Sequence, residues 1–326
     1  MFPPITSGTT ERPDRRRRPI GGWRRWGGAF PALVIGLAGL LILLRPGFVH
    51  MVGVWLSSPT YHHGALVPFA SLAIIADGWR REEVFAPYPP ALLAIAVAAA
   101  LYAGGNMMDV ALGQHLAIAL GLASLAALFL GRSFAIRHRF ALGLLVMMVP
   151  VGEELVPTLQ TVTAFGIMAG LSALDIPAIR EGLLIRTGAG DFLVAEACAG
   201  LRFLMATIVT GSILARYVFK DVRRQIGFLF LCLFIPVLAN ILRATATVAV
   251  ASWTDMTVAA GLDHMIYGWG FFFVILATLV GLGLVLAEEG APSPPDPPIV
   301  PAAAGVGRVI WISTAALALM FFARIV

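Results

Sequence analysis

Three residues have the types that group transfer needs: Cys198 in "AEACAGLRF", Arg243 in "ANILRATATV" and His264 in "GLDHMIYGWGFF". Each stands in or beside a different apolar run. A thiolate is the nucleophile of cysteine chemistry, and a helix N-terminus with cations nearby favours it. An imidazole can take the thiol proton and return it to a leaving amine. A guanidinium keeps its charge and offers a planar fork of donors to an oxyanion. Together the three suit acyl transfer through a covalent thioester. If the helix begins at about the cysteine, Arg202, four residues on, shares its face and can hold the thiolate or bind a substrate carboxylate. The bland alternatives are an arginine that snorkels and an imidazole in an interfacial belt. Cys232, inside a span, reads as a small inert hydrophobe.

The elements that must bring these groups together are membrane spans. Of 326 residues, 59% are hydrophobic and 13% charged, against about a quarter charged in a soluble domain. The formal charge of +5 is carried largely by arginines beside the first span, the expected device for a flank kept in the cytoplasm, so no nucleic-acid partner is expected. That span, near Phe30 to Leu44, has no small-x-small cleavage site after it and reads as an uncleaved anchor. Others are expected near Ala65–Trp79, Ala91–Ala103, Ala111–Leu130, Phe140–Val156, Leu201–Phe219, Ile226–Ala251, Met265–Ala287 and Val309–Ile325, several near the ~20 residues that cross a bilayer. With the N-terminus inside, Arg80, Arg81, Arg132, Arg137, Arg139, Lys220, Arg223 and Arg224 all fall in inside loops. The same threading brings Cys198, Arg243 and His264 to the outer face at similar depth.

The fold class expected is an all-α polytopic membrane protein, with about eight core transmembrane helices, one further C-terminal span and a short outer β-hairpin-like segment. Leu159–Leu174, apolar but interrupted by threonines and glycines, is expected as a helix on the outer surface or re-entrant. After it, "LLI" and "FLV" flank the polar "RTGAGD", a pattern for two strands and a turn. Four regions follow: a basic cytoplasmic tail over residues 1–28, a transmembrane domain over 29–287, a Pro-rich cytoplasmic linker over 288–307 and the additional span over 308–326.

Two other functions compete with acyl transfer. Arg202 and Arg243 can attract an anion in a transporter or channel, although repeats and midplane polar groups are lacking. His62, His63, His264, Asp263 and Glu196 can serve a metal-dependent hydrolase, although no pair sits at helical i, i+4 spacing. A non-enzymatic assembly scaffold is a third reading.

At these same residues the chain resembles the exosortases, which with the archaeosortases are polytopic cysteine transpeptidases. "EACAGLRF", with Glu196, Cys198 and Arg202, is similar to the family's Glu-Ala-Cys-(Ser/Ala)-Gly-Leu-Arg block. "ANILRA", with Asn240 and Arg243, resembles its Asn-x-x-Arg block, and "DHMIYGWGFF", with Asp263, His264 and Tyr267, its Asp-His-x-x-Tyr-Gly block. "YHHGALVPFASL", with His63, looks like its His-Gly-x-Leu-Val-Pro stretch. The blocks occur in the family's order. The resemblance implies Cys198 as nucleophile, Arg243 as transition-state arginine and His264 as general acid/base, with Glu196, Arg202, Asn240, Asp263, Tyr267 and His63 binding substrate or supporting them. It implies neither metal nor cofactor. The substrates implied are exported proteins whose C-terminal sorting signal joins a Pro-Glu-Pro motif, an apolar span and a basic tail, with a link to exopolysaccharide export. The location implied is a bacterial inner membrane with the site on the periplasmic side. The acceptor that resolves the thioester is not specified. Ala199 stands where the family often has Ser, and some members carry a soluble outer domain after the last span, the point at which this sequence stops.

Overall fold

The computed structural model describes residues 29–79, 86–254 and 264–288, with the backbone alone for 264–269. The basic tail, Arg80 and Arg81, Asp263, nearly all of the Pro-rich linker and the last span lie outside the described residues.

The described chain is largely helical. Helix α1 (Ala29–Leu43) turns by 81° into α2 (Arg45–Ser57), where Pro46 takes the first turn of the new helix, the one place a helix tolerates a missing N–H. A short 3₁₀ turn, His62–Ala65, leads into α3 (Val67–Asp77), and α4 (Ala91–Met107), α5 (Ala111–Leu130) and α6 (Arg132–Arg137) follow. Met51, Ile95, Ile118, Leu125 and Phe129 are fully buried at the centre of this first bundle.

Two expected spans are shorter or broken. Ala65–Trp79 yields only the 11 residues of α3, ~16 Å of helix at 1.5 Å per residue. Phe140–Val156 is not one helix: α7 (Arg139–Leu144) runs into a 3₁₀ turn, Leu145–Met148, and stops. Pro150 disfavours helix in the residue before it, and Gly152 has φ +101°, so hydropathy alone overstated this segment. The freed polar groups are used across the bundle: Trp55 Nε1 donates to Met148 O at 2.8 Å and Ser71 Oγ to Ala141 O at 2.8 Å.

By length and composition four described helices can cross a membrane, or five if the bent pair α1–α2 counts as one. The protein is therefore a polytopic helical membrane protein.

The second half carries the site. Helix α8 (Val156–Ala173) is followed by β1 (Ala178–Glu181), β2 (Leu184–Thr187) and β3 (Gly190–Leu193), then α9 (Leu201–Val218), α10 (Val222–Trp253) and α11 (His264–Val285). The expected hairpin exists as β2–β3, but β1 pairs antiparallel with β2 to make a three-stranded sheet, with Arg180 opposite Ile185. The Arg180 guanidinium lies 3.7 Å from the Phe165 ring centre on α8, which places its charge over an aromatic face.

Helix α10 has 32 residues, ~48 Å of helix against a hydrocarbon core of ~30 Å. Its first half packs on α9 and α11 around Phe228, Cys232, Ile275 and Leu279. Pro236, buried within it, has no N–H to give the Cys232 carbonyl four residues back; the Thr207 hydroxyl of α9 meets that carbonyl at 3.0 Å instead. The second half of α10 packs on α8 and the sheet around Ala164, Ile167, Ile185 and Val248. Along this contact Thr163 meets Asn240, Gly166 meets Ile241 and Gly170 meets Thr245, so α8 runs in the same direction as α10. A Cβ at Gly166 or Gly170 would lie 2.4 or 2.5 Å from the facing side chain; the two glycines, four apart, let the helices touch backbone to side chain.

Candidate active site

The sequence places the start of a helix at about the cysteine. In the structure Cys198 instead closes a 3₁₀ turn, Glu196–Cys198, its N–H donating to Ala195 O at 2.9 Å. Helix α9 begins three residues later, behind Gly200 at φ +81°. The left-handed conformation is open to glycine without penalty, and a Cβ there would sit 2.7 Å from Asn240 Cγ. Gly200 thus lets the cysteine turn reverse against α10.

Asn240 is the joint of the site. Buried on α10, it donates through Nδ2 to the Cys198 carbonyl at 2.8 Å and to Thr163 Oγ1 at 3.2 Å, and accepts through Oδ1 from Arg243 Nη2 at 3.3 Å. One amide ties α8, the cysteine turn and the arginine together. Arg243 is only 2% exposed, and its Nε–H has no hydrogen-bond partner. A buried guanidinium donor left open is costly unless something else accepts from it. Among the described residues no carboxylate forms an ion pair with Arg243.

Cys198 and Arg243 line the same cavity, of about 90 Å³, whose other walls are Ile167 of α8, Ile185 of β2, Phe192 and Leu193 of β3, Val194, and Ala244, Thr247 and Val248 of α10. Apart from Arg243, Cys198 and Thr247 the lining is apolar.

Arg202 and Arg243 flank one ring. Their guanidinium carbons lie 4.8 and 5.8 Å from the Phe203 ring centre. The i, i+4 relation of Arg202 to Cys198 does not hold, because Cys198 is outside the helix; Arg202 stands in the first turn of α9, with its own Nε buried and without a partner. Phe203 stacks on Phe272 of α11 at 5.6 Å. His264 opens α11 eight residues before Phe272, ~12 Å along the helix, so its backbone comes to the end of the bundle where Cys198 lies. The side chains of His264 and Tyr267, and all of Asp263, lie outside the described residues.

Glu196 is exposed. His63 does not line the cavity. It sits in the 3₁₀ turn of the first bundle, which touches α9, with Nδ1 3.1 Å from Thr60 O. Burial lowers its pKa from 6.5, against the opposing pull of the Thr60 carbonyl. Among the described residues no group of three His, Cys, Asp or Glu side chains is placed to hold a metal.

Thr163, Phe203 and the apolar cavity walls are the parts that sequence reading missed. The available signal for Thr163 was its spacing from Gln160 on an apolar helix: Gln160 Nε2 donates to Val194 O at 2.8 Å, and the two polar side chains, three apart, bind the cysteine segment and Asn240.

The family model described as "Transmembrane exosortase (Exosortase_EpsH)" matches residues 55–281, which is 227 of the 326 residues and includes Cys198, Asn240, Arg243 and His264. The chain belongs to the transmembrane exosortase family. Membership supports, in broad terms, a membrane transpeptidase acting on substrate proteins that carry sorting signals. No curated protein and no solved structure matches the chain.

Proposed function

We propose that this exosortase-family chain is a cysteine protease and transpeptidase of the bacterial inner membrane. It cleaves the C-terminal sorting signal of exported proteins, a Pro-Glu-Pro motif followed by an apolar span and a basic tail, on the periplasmic side, in support of exopolysaccharide export. The observation that carries this reading is the shared cavity: a cysteine and a buried arginine with an open donor face one space, joined by Asn240.

The Cys198 thiolate attacks the scissile carbonyl carbon, forming a C–S bond and an oxyanion. The open donors of Arg243 stabilise that oxyanion. Collapse breaks the peptide C–N bond, and His264 gives the departing amine the proton it took from the thiol. An acceptor nucleophile then attacks the thioester, forms the new acyl bond and releases the thiol. Arg202 steadies the thiolate or binds a substrate carboxylate, and Asn240 holds the cysteine turn and Arg243 in register. Glu196, Asp263, Tyr267 and His63 support the substrate side of the site.

Depth supports the assignment. From Val222 to Asn240 is ~27 Å of helix, so a chain that enters α10 at the cytoplasmic face holds Cys198 near the outer edge of a ~30 Å core. Helix α8 and the sheet flank the remainder of α10, and α8 is itself one of the four described helices long and apolar enough to cross a membrane.

The test is co-expression with a tailed substrate. Cys198→Ala abolishes processing while the protein stays inserted and abundant, and His264→Ala leaves a faint hydroxylamine-sensitive adduct that Cys198→Ala lacks. Normal processing by Cys198→Ala would remove the nucleophile assignment.

A further inference from the structure

The mechanism uses two walls of the cavity and leaves its apolar walls without a task. Resting on the proposed acyl transfer, we infer that this cavity is the pocket for the side chain of the substrate residue whose carbonyl is attacked, and that it selects a compact apolar side chain.

The geometry follows from the reacting atoms. For attack, the scissile carbonyl carbon must come within ~3.5 Å of the Cys198 sulfur with its oxygen toward the arginine. The side chain of that residue begins one bond further on, at its Cα. Cys198 and Arg243 share the wall of one cavity, so a substrate placed for attack carries this side chain into it. What it meets there is Ile185, fully buried on β2, with Val248 and Ala244 of α10. A basic side chain would lose its water there beside the Arg243 charge.

Size is limited as well. The volume of about 90 Å³ is well below the ~150 Å³ cavity that takes benzene, so a branched aliphatic group suits it better than an indole. Ala244 is a buried part of the wall, so a larger residue on α10 at this point takes up space in the cavity. Leu193, 66% exposed on β3, forms part of the mouth.

Alkyl methanethiosulfonates test the pocket without any substrate protein. The Cys198 thiolate attacks the sulfenyl sulfur, forms a mixed disulfide and expels methanesulfinate, and peptide mass spectrometry separates Cys198 from the buried Cys232. Rates on membranes are normalised to glutathione. Each methylene taken from water favours binding by roughly fourfold, so the butyl reagent is expected to outpace the methyl reagent by about tenfold or more, with dodecyl no faster than butyl. Ala244→Leu, taking up space in the cavity, and Leu193→Asp, charging the exposed mouth where folding tolerates it, each bring that ratio to within about twofold of one. Equal butyl and methyl rates in the unaltered protein, a rate that keeps rising to dodecyl as for an acyl-chain groove, or a ratio unmoved by both variants overturns the inference. The readout needs no processing. A chain-length preference together with normal processing by Cys198→Ala would sink the peptidase reading and with it the substrate-residue assignment, leaving an apolar pocket beside a thiol; processing lost in Cys198→Ala without the preference would keep the peptidase reading and sink the pocket.

Discussion

Arg243 is the residue at which chemistry and burial meet. It is nearly inaccessible, bound through one nitrogen to Asn240 and open at another. A lysine keeps the charge but loses the fork that makes both contacts at once. Arg243→Lys is therefore expected to be nearly as damaging as Arg243→Ala, with turnover of a tailed substrate down by ~100-fold or more, the usual cost of removing an oxyanion donor. Near-normal turnover by the lysine variant would reduce Arg243 to a snorkelling residue. His63 and its neighbour Tyr61 give a pH signature outside the spans. Burial lowers the His63 pKa from 6.5, so the folded state prefers the neutral ring. The stabilisation is complete above pH 6.5 and is lost as pH falls below it. Burial, then Glu153 and Glu154, push the Tyr61 phenol up to about 12, so its contribution is complete below pH 10 and is lost between pH 10 and about 12. The protection of the residue 58–66 amides, with the intrinsic pH dependence of exchange divided out, is expected to fall on both sides of that plateau, and constant protection from pH 5 to 7 would contradict the His63 half.

At the scale of elements, the cysteine turn depends on a glycine that touches no substrate. Gly200→Ala imposes a left-handed alanine, ~1–2 kcal/mol of strain, and drives its methyl into Asn240. Gly182, at φ +63° in the β1–β2 turn with open space around it, supplies the control, since Gly182→Ala carries the backbone strain alone. Thermal unfolding in detergent is expected to show the larger loss for Gly200→Ala, with processing lost only there; equal losses would mean that the Asn240 contact is dispensable. This junction also marks where the sequence stopped being readable. Cys198, Arg243 and His264 stand out because charged or reactive groups against apolar runs are costly and hence conspicuous. Their partners are not conspicuous. Thr163 and Phe203 are ordinary residues for such helices, and their roles come from contacts 77 residues away and across two helices. The break after Met148 was missed because a hydropathy pattern sums apolar residues and ignores a proline and a left-handed glycine, and β1 was missed because its charges find their partners only in the fold, Arg180 over Phe165 and Glu181 beside Arg186 of β2.

For the whole molecule, the expected sidedness has a direct check. In a Cys198→Ala, Cys232→Ala background, Asp191→Cys on the exposed sheet is expected to react with an impermeant maleimide on intact cells, whereas Arg223→Cys at the start of α10 reacts only after permeabilisation. The reverse pattern would invert the topology and put the cavity on the wrong side for exported substrates. The two halves of the molecule meet this surface differently: the first bundle has its own core, while α8, the sheet and α10 enclose the cavity. The close approach of Gly166 and Gly170 to α10 then acquires a second meaning. Ile167, on the cavity wall, and Thr163, on Asn240, ride on the same helix as those glycines. The bore of the site is therefore gauged by two hydrogen atoms, and a single methyl at either glycine would press α8 away from α10, moving the Ile167 wall and the Thr163 hold on Asn240 together.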